Sequence, residues 1–188
     1  MHRKPKNEID ISRPHHRMLD SYFLVSNRLG FREWSQDNLP LARALWGDAR
    51  VTKFIGGPFS EQQIEDRLNK EIETSNHYGI QYWPVFLLEN GSYVGCAGLR
   101  PYVGPPGVFE LGVHIRPEFW RLGLAEEAAR AVIDFGFSTL GASALFAGHH
   151  PENESSRRLL TKLGFRFTHE ELYVPTGRLH PSYLLIRP

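Results

Sequence analysis

The stretch RPEFWRLGLAEEAARAVIDFGF, residues 116–137, joins an irregular turn to a long helical pattern. Its apolar positions recur every three or four residues, at Ala125, Ala128, Ala129, Val132, Ile133 and Gly136. This spacing predicts an amphipathic helix that begins just after Gly123. The first amide N–H groups of a helix have no partner within it, and the helix dipole favours anions at that end. The junction therefore predicts either an anion site or a simple connection between a strand and a helix.

The segments around this helix predict a sheet. VFELGVHIRP, residues 108–117, is a strand that ends at Pro117, and the continuously apolar SALFAG, residues 143–148, is a short central strand. Upstream, WPVFLLE and SYVGCAGL flank Asn90–Gly91, a pair that favours a hairpin with a type I′ turn. Downstream, FRFTHEELYV and SYLLIR predict two closing strands around the turn PTGR.

The N-terminal half predicts one strand and two helices. LVSNRLGFREW, residues 24–34, is the strand, and a short helix follows from near Asp37 to Gly47. Ser60 and Gln63 have the spacing of a capping box, so a second helix begins there. Its apolar face is formed by Ile64, Leu68 and Ile72.

The order of these elements predicts the fold class. A loop and a short helix in HHPENESSRRLLTKLGF precede Gly164, which is suited to the position just past a helix end. With them, the chain alternates strands and helices as an α+β domain around one mixed sheet. We expect a single domain over residues 21–188 and a polar extension over residues 1–20.

Composition and charge narrow the function classes. The 188 residues are 41% hydrophobic and 23% charged, with a net charge of +1 and no basic stripe, so we expect no nucleic-acid partner. No run approaches the roughly 20 apolar residues of a membrane span. The single cysteine, Cys96, lies in an apolar run and is expected to be a buried core thiol rather than a nucleophile. A lone cysteine also favours the reducing cytoplasm.

Two common phosphate-binding motifs are absent around Gly123. A Walker loop needs a Lys followed by Ser or Thr, and a dinucleotide fingerprint needs three spaced glycines. Instead, FIGGP, ELGVHI, WRLGLAEEA, PEN-SS and KLGF, in this order, resemble the GNAT acetyltransferase superfamily and most closely its RimJ/RimL branch. The resemblance extends from about Leu29 to Tyr183. It implies a central, mostly antiparallel sheet that is splayed between its fourth and fifth strands.

The resemblance implies acetyl-CoA as co-substrate and no metal. The family motif Q/R-x-x-G-x-G/A matches residues 120–125, with Trp120 at a first position where this branch commonly has tryptophan. It implies that the pyrophosphate is held by the N–H groups of Leu122, Gly123, Leu124 and Ala125. Arg121 would add a charged contact or be a solvated surface residue.

The same resemblance assigns residues to the rest of the cofactor. The main chain of Leu111, Val113 and Ile115 would bind the pantetheine arm in the opening of the sheet. Asn153 would reach that arm from the other side, or would simply cap the following helix. Arg157 would reach the phosphates or face water.

The implied reaction is direct attack of a primary amine on the thioester. Glu110 would be the base or hold a water, or would be a salt-bridged carboxylate at a strand end. Strand alternation places His114 on the same face as a second candidate base. Many family members have a tyrosine acid where this chain has Leu160, and in the RimJ/RimL branch the serine matched by Ser156 lies next to the sulfur.

The resemblance leaves three alternatives open. The acceptor is an amine-bearing substrate, either a protein or peptide N-terminus or a small molecule. Because the tyrosine is missing, the domain is alternatively a catalytically silent acyl-CoA-binding or regulatory module. The chain is expected to be a monomer or a homodimer.

Overall fold

The computed structural model describes residues 21–187, so the predicted extension over residues 1–20 lies outside the described residues. An eight-stranded sheet runs through the domain in the order β1-β2-β3-β4-β5-β6-β8-β7. The strands are β1 Leu24–Val25, β2 Leu29–Phe31, β3 Tyr82–Leu87, β4 Tyr93–Pro101, β5 Val108–Ile115, β6 Ala144–Gly148, β7 Arg166–Tyr173 and β8 Arg178–Ile186. All neighbouring pairs are antiparallel except β5 and β6, which run parallel. The predicted α+β fold with one mixed sheet is confirmed.

Within residues 21–187, five α-helices pack on the two faces of the sheet. They are α1 Leu39–Trp46, α2 Ala49–Thr52, α3 Glu61–Tyr78, α4 Leu124–Ser138 and α5 Glu154–Lys162. The capping box of α3 is present as predicted, since Ser60 accepts from the N–H of Gln63 at 3.3 Å and the Gln63 side chain accepts from the N–H of Ser60 at 2.8 Å. Gly164 follows α5 with φ 89°, which is the left-handed conformation predicted for the residue after a helix end.

Each face of the sheet has its own apolar core. On one face, α4 contributes the buried residues Leu124, Ala128, Ala129 and Val132, which pack with Leu111 and Ile115 of β5. On the other face, Trp46 of α1 and Leu68 of α3 pack over Tyr82, Phe86 and Cys96 of the central hairpin. The alternating side chains of β5 therefore belong to two different cores, with Glu110, Gly112 and His114 directed towards α1 and α3.

Two predictions for the N-terminal half need correction. The segment 24–34 is not one strand but the short hairpin β1–β2, which turns at residues 26–28. The first predicted helix is a 3₁₀ turn over Gln36–Asn38 followed by α1, and the additional helix α2 comes after it.

The turn between β3 and β4 is not of type I′. That type requires positive φ at both central residues, and only Gly91 has it, with φ 71°. The loop instead closes with the Gly91 N–H donating to the Leu87 carbonyl at 2.8 Å. Gly91, in the left-handed conformation at the end of this longer loop, lets the chain reverse direction without a type I′ turn.

Candidate active site

The sheet opens between β5 and β6. These strands pair only at Val108–Ala144, Phe109–Leu145 and Glu110–Phe146, although β5 continues to Ile115. This opening is the splay predicted between the fourth and fifth strands. Those predicted strands correspond to β5 and β6, because the first predicted strand is in fact the two strands β1 and β2. We call the space between residues 111–115 and the end of β6 the wedge.

The main chain of β5 provides hydrogen-bonding groups to the wedge. The N–H of Arg116 donates to Val94 of β4 at 2.9 Å, so the even-numbered residues of β5 direct their main-chain groups to β4. Leu111, Val113 and Ile115 therefore direct theirs towards the wedge, where the resemblance implies the pantetheine arm. The carbonyl of Ile115 already accepts a bond from the Trp120 indole N–H at 2.7 Å, which leaves the groups nearer Leu111 to bind a ligand.

The turn before α4 presents consecutive amide N–H groups. In the described part of the chain, the N–H groups of residues 121–126 have no acceptor, and the first helical bond runs from Glu127 to the Gly123 carbonyl at 3.1 Å. Arg121 and Gly123 both have positive φ, 62° and 76°. Successive N–H groups in such a turn form a concavity that suits an anion, and the helix dipole adds to it.

Gly123 leaves this concavity open. A Cβ placed there would meet only the Nη2 atom of Arg28, at 3.7 Å, within 4 Å. The side chains of Arg121 and Leu122 are exposed, while Leu124 is buried in the core and fixes the first turn of the helix. Trp120 holds the turn against the end of β5 through its bond to Ile115, so the departure from the motif at this position has a structural role.

An arginine that sequence reasoning missed stabilises the same turn. Arg28, in the β1–β2 turn, donates its Nε to Glu127 at 2.6 Å and its Nη1 to the Leu122 carbonyl at 3.2 Å. Glu127 also accepts from the Ser26 hydroxyl at 2.7 Å. Although burial opposes the charged form, these hydrogen bonds hold the pKa of Glu127 below its ordinary value. The charge of Glu127, near the anion site, is thus neutralised by Arg28, which lies next to Gly123.

The resemblance implies that the start of α5 lies on the opposite side of the wedge. The Asn153 side chain accepts from the Ser156 N–H at 3.1 Å, so the helix-capping alternative for Asn153 is confirmed and its amide nitrogen is left to donate. The half-buried Ser156 hydroxyl has no partner among residues 21–187. Leu160, at the position of the missing tyrosine, is 6% exposed and packs in the core.

Arg157 is less suited to bind phosphate than the resemblance implied. Its guanidinium donates to Glu154 at 2.7 Å on the exposed surface of α5. A surface pair of this kind contributes at most about 1 kcal/mol and can exchange partners. The structure therefore places Arg28, rather than Arg157, directly beside the turn at Gly123.

The two candidate bases lie in different environments. Burial raises the pKa of Glu110 above its ordinary value, and the Arg100 charge and a hydrogen bond with Tyr82 only partly offset this. His114 accepts the Trp46 indole N–H at 3.2 Å on its Nδ1 atom. Burial and the charges of Arg67 and Arg100 lower the pKa of His114 to about 3. His114 is thus neutral near pH 7 and a weak base, which favours Glu110.

The neutral His114 predicts a pH-dependent stability. Its pKa is depressed on folding from 6.5 to about 3, so the unfolded chain takes up a proton that the folded chain excludes. The free energy of unfolding is therefore expected to fall as pH drops below 6.5, by up to about 1.4 kcal/mol per pH unit from this residue. Urea unfolding at pH 7 and pH 5 measures the loss. His114→Gln, which keeps an acceptor for Trp46, should lose less, and a loss equal to that of the exposed control His77→Gln would contradict this origin.

Three further observations concern the cysteine, possible metal ligands and the helices of the described chain. Cys96 is fully buried as predicted, and burial raises the pKa of its thiol. Within residues 21–187, no cluster of three or more His, Cys, Asp or Glu side chains is arranged to hold a metal ion. None of the helices in the same range has the length and the apolar character needed to cross a bilayer.

These features define a class of protein. A sheet that opens beside a helix N-terminus, with free main-chain groups along β5, provides an anion site next to an open strand edge. The resemblance implies that this is the arrangement of an acyltransferase that uses an acyl-CoA thioester. The family model of the acetyltransferase (GNAT) domain matches residues 28–166. The chain belongs to this family, which confirms the predicted superfamily.

Individual relatives agree with this assignment. The uncharacterized N-acetyltransferase YoaA of Bacillus subtilis is 30% identical over 148 residues, which cover 76% of this chain and 82% of YoaA. A GNAT-family acetyltransferase from Bacillus anthracis superposes with a TM-score of 0.75 at 24% identity, covering 87% of this chain and 97% of its own. RimL, a ribosomal L7/L12 alpha-N-protein acetyltransferase solved with coenzyme A, superposes with a TM-score of 0.72 at 13% identity, covering 86% and 96%. The chain is thus an N-acetyltransferase that takes its acetyl group from acetyl-CoA.

Proposed function

We propose that this enzyme transfers the acetyl group to a primary amine, either the N-terminus of a peptide or protein or a small amine, by direct attack. The observation that carries the proposal is the position of Glu110. It is the last residue of β5 that pairs with β6, so the wedge begins immediately after it. A carboxylate at the inner end of the wedge lies where a thioester seated in the wedge meets an incoming amine.

The residues around the wedge fit acetyl-CoA. The unpartnered N–H groups of residues 121–126 suit the pyrophosphate, and the open space at Gly123 lets it approach the main chain. The main-chain groups of Leu111 and Val113 suit the amides of the pantetheine arm, and the amide nitrogen of Asn153 is available from α5. Bound acetyl-CoA supplies the thioester carbonyl that the amine attacks.

Glu110 is proposed to accept the proton of the attacking amine. An amine attacks only when it is neutral, and a base is most effective when its pKa lies near the working pH. Burial moves the pKa of Glu110 upward, in that direction. The proton passes from the amine nitrogen to the Glu110 carboxylate, directly or through one water.

Ser156 is proposed to hydrogen-bond the departing sulfur. Its hydroxyl lies on the first turn of α5 and has no partner among the described residues, so it is available to stabilise developing negative charge. Ser156→Ala is expected to lower kcat by about 10- to 100-fold while the Kd for acetyl-CoA stays within a factor of about two. Steady-state kinetics and calorimetry on the same protein give the two numbers.

The matched control for this prediction is Ser155→Ala. Ser155 is the exposed neighbour on the same turn, so its loss has the same effect on helix propensity without changing the wedge. Equal kcat losses in the two variants would remove Ser156 from the proposed role.

We propose that the acceptor side includes a row of four aromatic rings, from the segment after α2, the loop after β6, and strands β8 and β7. Phe54, His150, His180 and Tyr173 follow one another with centroid distances of 5.1, 5.4 and 4.7 Å. Gly56 lies against the turn after β7, since a Cβ there would be 2.8 Å from the Pro175 carbonyl oxygen. This contact brings the segment after α2 against the turn after β7.

The proposal is tested by acetyl transfer over a panel of N-terminal peptides, polyamines and amino sugars, with thiol release and product mass as readouts. Transfer to one of these classes supports it. The second candidate, a silent acyl-CoA-binding module, is favoured by the buried Leu160 at the position of the missing tyrosine. Binding of acetyl-CoA without consumption of the thioester across the whole panel would select that module instead.

A further inference from the structure

A buried glutamate on α3 has no part in the proposed chemistry. Glu71 is fully buried, and its carboxylate pairs with Arg100 of β4 and with the Nε of Arg67 at 3.2 Å. It also accepts the main-chain N–H of Tyr82 at 2.9 Å. Burying a carboxylate is costly unless every lone pair is satisfied, so this cluster fixes the guanidinium of Arg100 in one position.

Arg100 lies directly opposite Glu110 on the neighbouring strand. The two residues are paired in the β4–β5 ladder, and the Arg100 side chain is only 13% exposed. Its guanidinium stacks 4.2 Å from the centroid of the Tyr82 ring, and its Nε is buried without an acceptor among the described residues. The charge of Arg100 is therefore held beside Glu110 while its ion pair is made with Glu71.

Tyr82 is held against the same strand. A Cβ at Gly112 would overlap the Tyr82 ring and hydroxyl, so the missing side chain at Gly112 is what lets the phenol lie across β5. The Tyr82 hydroxyl lies over Gly112, between Glu110 and His114 on the same face of β5, and its ring lies 6.0 Å from the ring of His114. Tyr82 is fully buried and stays protonated, because burial raises its pKa well above the ordinary value.

We propose that Arg100 and Tyr82 are positioning residues that hold Glu110 and favour its charged form, and that Glu71 fixes Arg100 and offsets part of its charge. This rests on the proposed function in one respect, namely that Glu110 accepts a proton. The three residues do not touch the reacting atoms in this account. They act on the reaction through Glu110.

The charges around Glu110 explain why both Arg100 and its partner Glu71 are needed. Burial raises the pKa of Glu110, whereas Arg100, the Tyr82 hydrogen bond and Arg67 lower it. Glu171 of β7 raises the pKa of Glu110. The nearby Tyr102 and Tyr173 are neutral groups, and the charge of Glu110 raises the pKa of each. Arg100 therefore opposes the effect of burial on the pKa of Glu110, and Glu71 limits how far the Arg100 charge lowers that pKa.

The proposal predicts shifts of opposite sign for two variants. Tyr82→Phe removes the hydroxyl that lies over Gly112 beside Glu110 and that lowers the pKa of Glu110, so the acidic limb of the kcat/KM profile should move to higher pH. Glu71→Gln leaves the Arg100 charge uncompensated and should move the same limb to lower pH. Arg100→Met should follow Tyr82→Phe, and Arg100→Lys should restore part of the wild-type profile.

One measurement makes the test independent of turnover. Carbon-13 NMR titration of glutamate-labelled protein, with the Glu110 signal assigned by its loss in Glu110→Gln, reports the pKa whether or not an acceptor is found. Glu73→Gln, an exposed acid on the same helix, is the control and should leave the titration unchanged. Shifts of the same sign in Tyr82→Phe and Glu71→Gln, or no shift in either, would overturn the proposal. Absence of acetyl transfer by the wild-type protein would instead count against the proposed function alone.

Discussion

Replacing Glu110 with glutamine is expected to lower kcat by about 10²- to 10⁴-fold, the range that general-base catalysis contributes. Glutamine has nearly the same shape and keeps an acceptor for the Tyr82 hydroxyl, but it cannot take a proton from the amine. Acetyl-CoA binding should be unchanged, because the groups proposed to bind it are the main chain of β5 and the turn before α4. Steady-state kinetics, together with the Kd of acetyl-CoA, separates the two effects.

The control for this prediction is Glu170→Gln, an exposed acid on β7. It should keep the wild-type kcat. If Glu110→Gln retained more than about a third of wild-type kcat across the pH range, a water path without a carboxylate base would replace the account given for Glu110.

Replacing Gly123 with valine is expected to abolish measurable acetyl-CoA binding. The free N–H groups of residues 121–126 lie around this position, and a branched side chain would occupy the space where a phosphate meets them. Each hydrogen bond to a charged group contributes about 1.5–3 kcal/mol, so loss of two lowers the affinity by about 100-fold or more. Isothermal titration calorimetry with acetyl-CoA measures the loss.

Backbone strain is controlled for by Gly141→Val. Gly141 has φ 67°, close to the 76° of Gly123, and like it has open space around the missing Cβ, but it lies beyond the far end of α4. A valine at positive φ costs about 1–2 kcal/mol at either site. Thermal denaturation should therefore show similar losses of Tm, while only Gly123→Val loses binding. Loss of binding in both variants, or in neither, would contradict the role of the turn.

Most of the fold follows from local signals. The period of α4, the capping box at Ser60 and the left-handed glycine at Gly164 each depend on residues within one or two helical turns, so the sequence alone predicts them. The hairpin between β3 and β4 was also predictable, but its turn type was not. Asn90 favours type I′ only when the flanking strands pair right up to the turn, and here the ladder ends earlier, at Phe86–Tyr93.

The candidate site was only partly predictable for a different reason. Gly123, Asn153 and Glu110 lie in motifs, whereas Arg28 stabilises the turn through Glu127, which is 99 residues away in sequence. Glu71 follows the buried Leu68 by three residues on α3, so helical spacing alone places it towards the core. A charged residue at such a position was the available signal for a buried ion pair, but only the tertiary structure shows that Arg100 is its partner.

The central claim is that the wedge between β5 and β6, with the turn at Gly123, binds acetyl-CoA. Isothermal titration of the wild-type protein with acetyl-CoA, and separately with CoA, tests it most directly. We expect saturable binding of both, with one molecule per chain, because the pyrophosphate and pantetheine contacts are common to them. Absence of heat and of any saturable signal for both ligands at about 1 mM, where even weak affinities are detectable, would contradict the account.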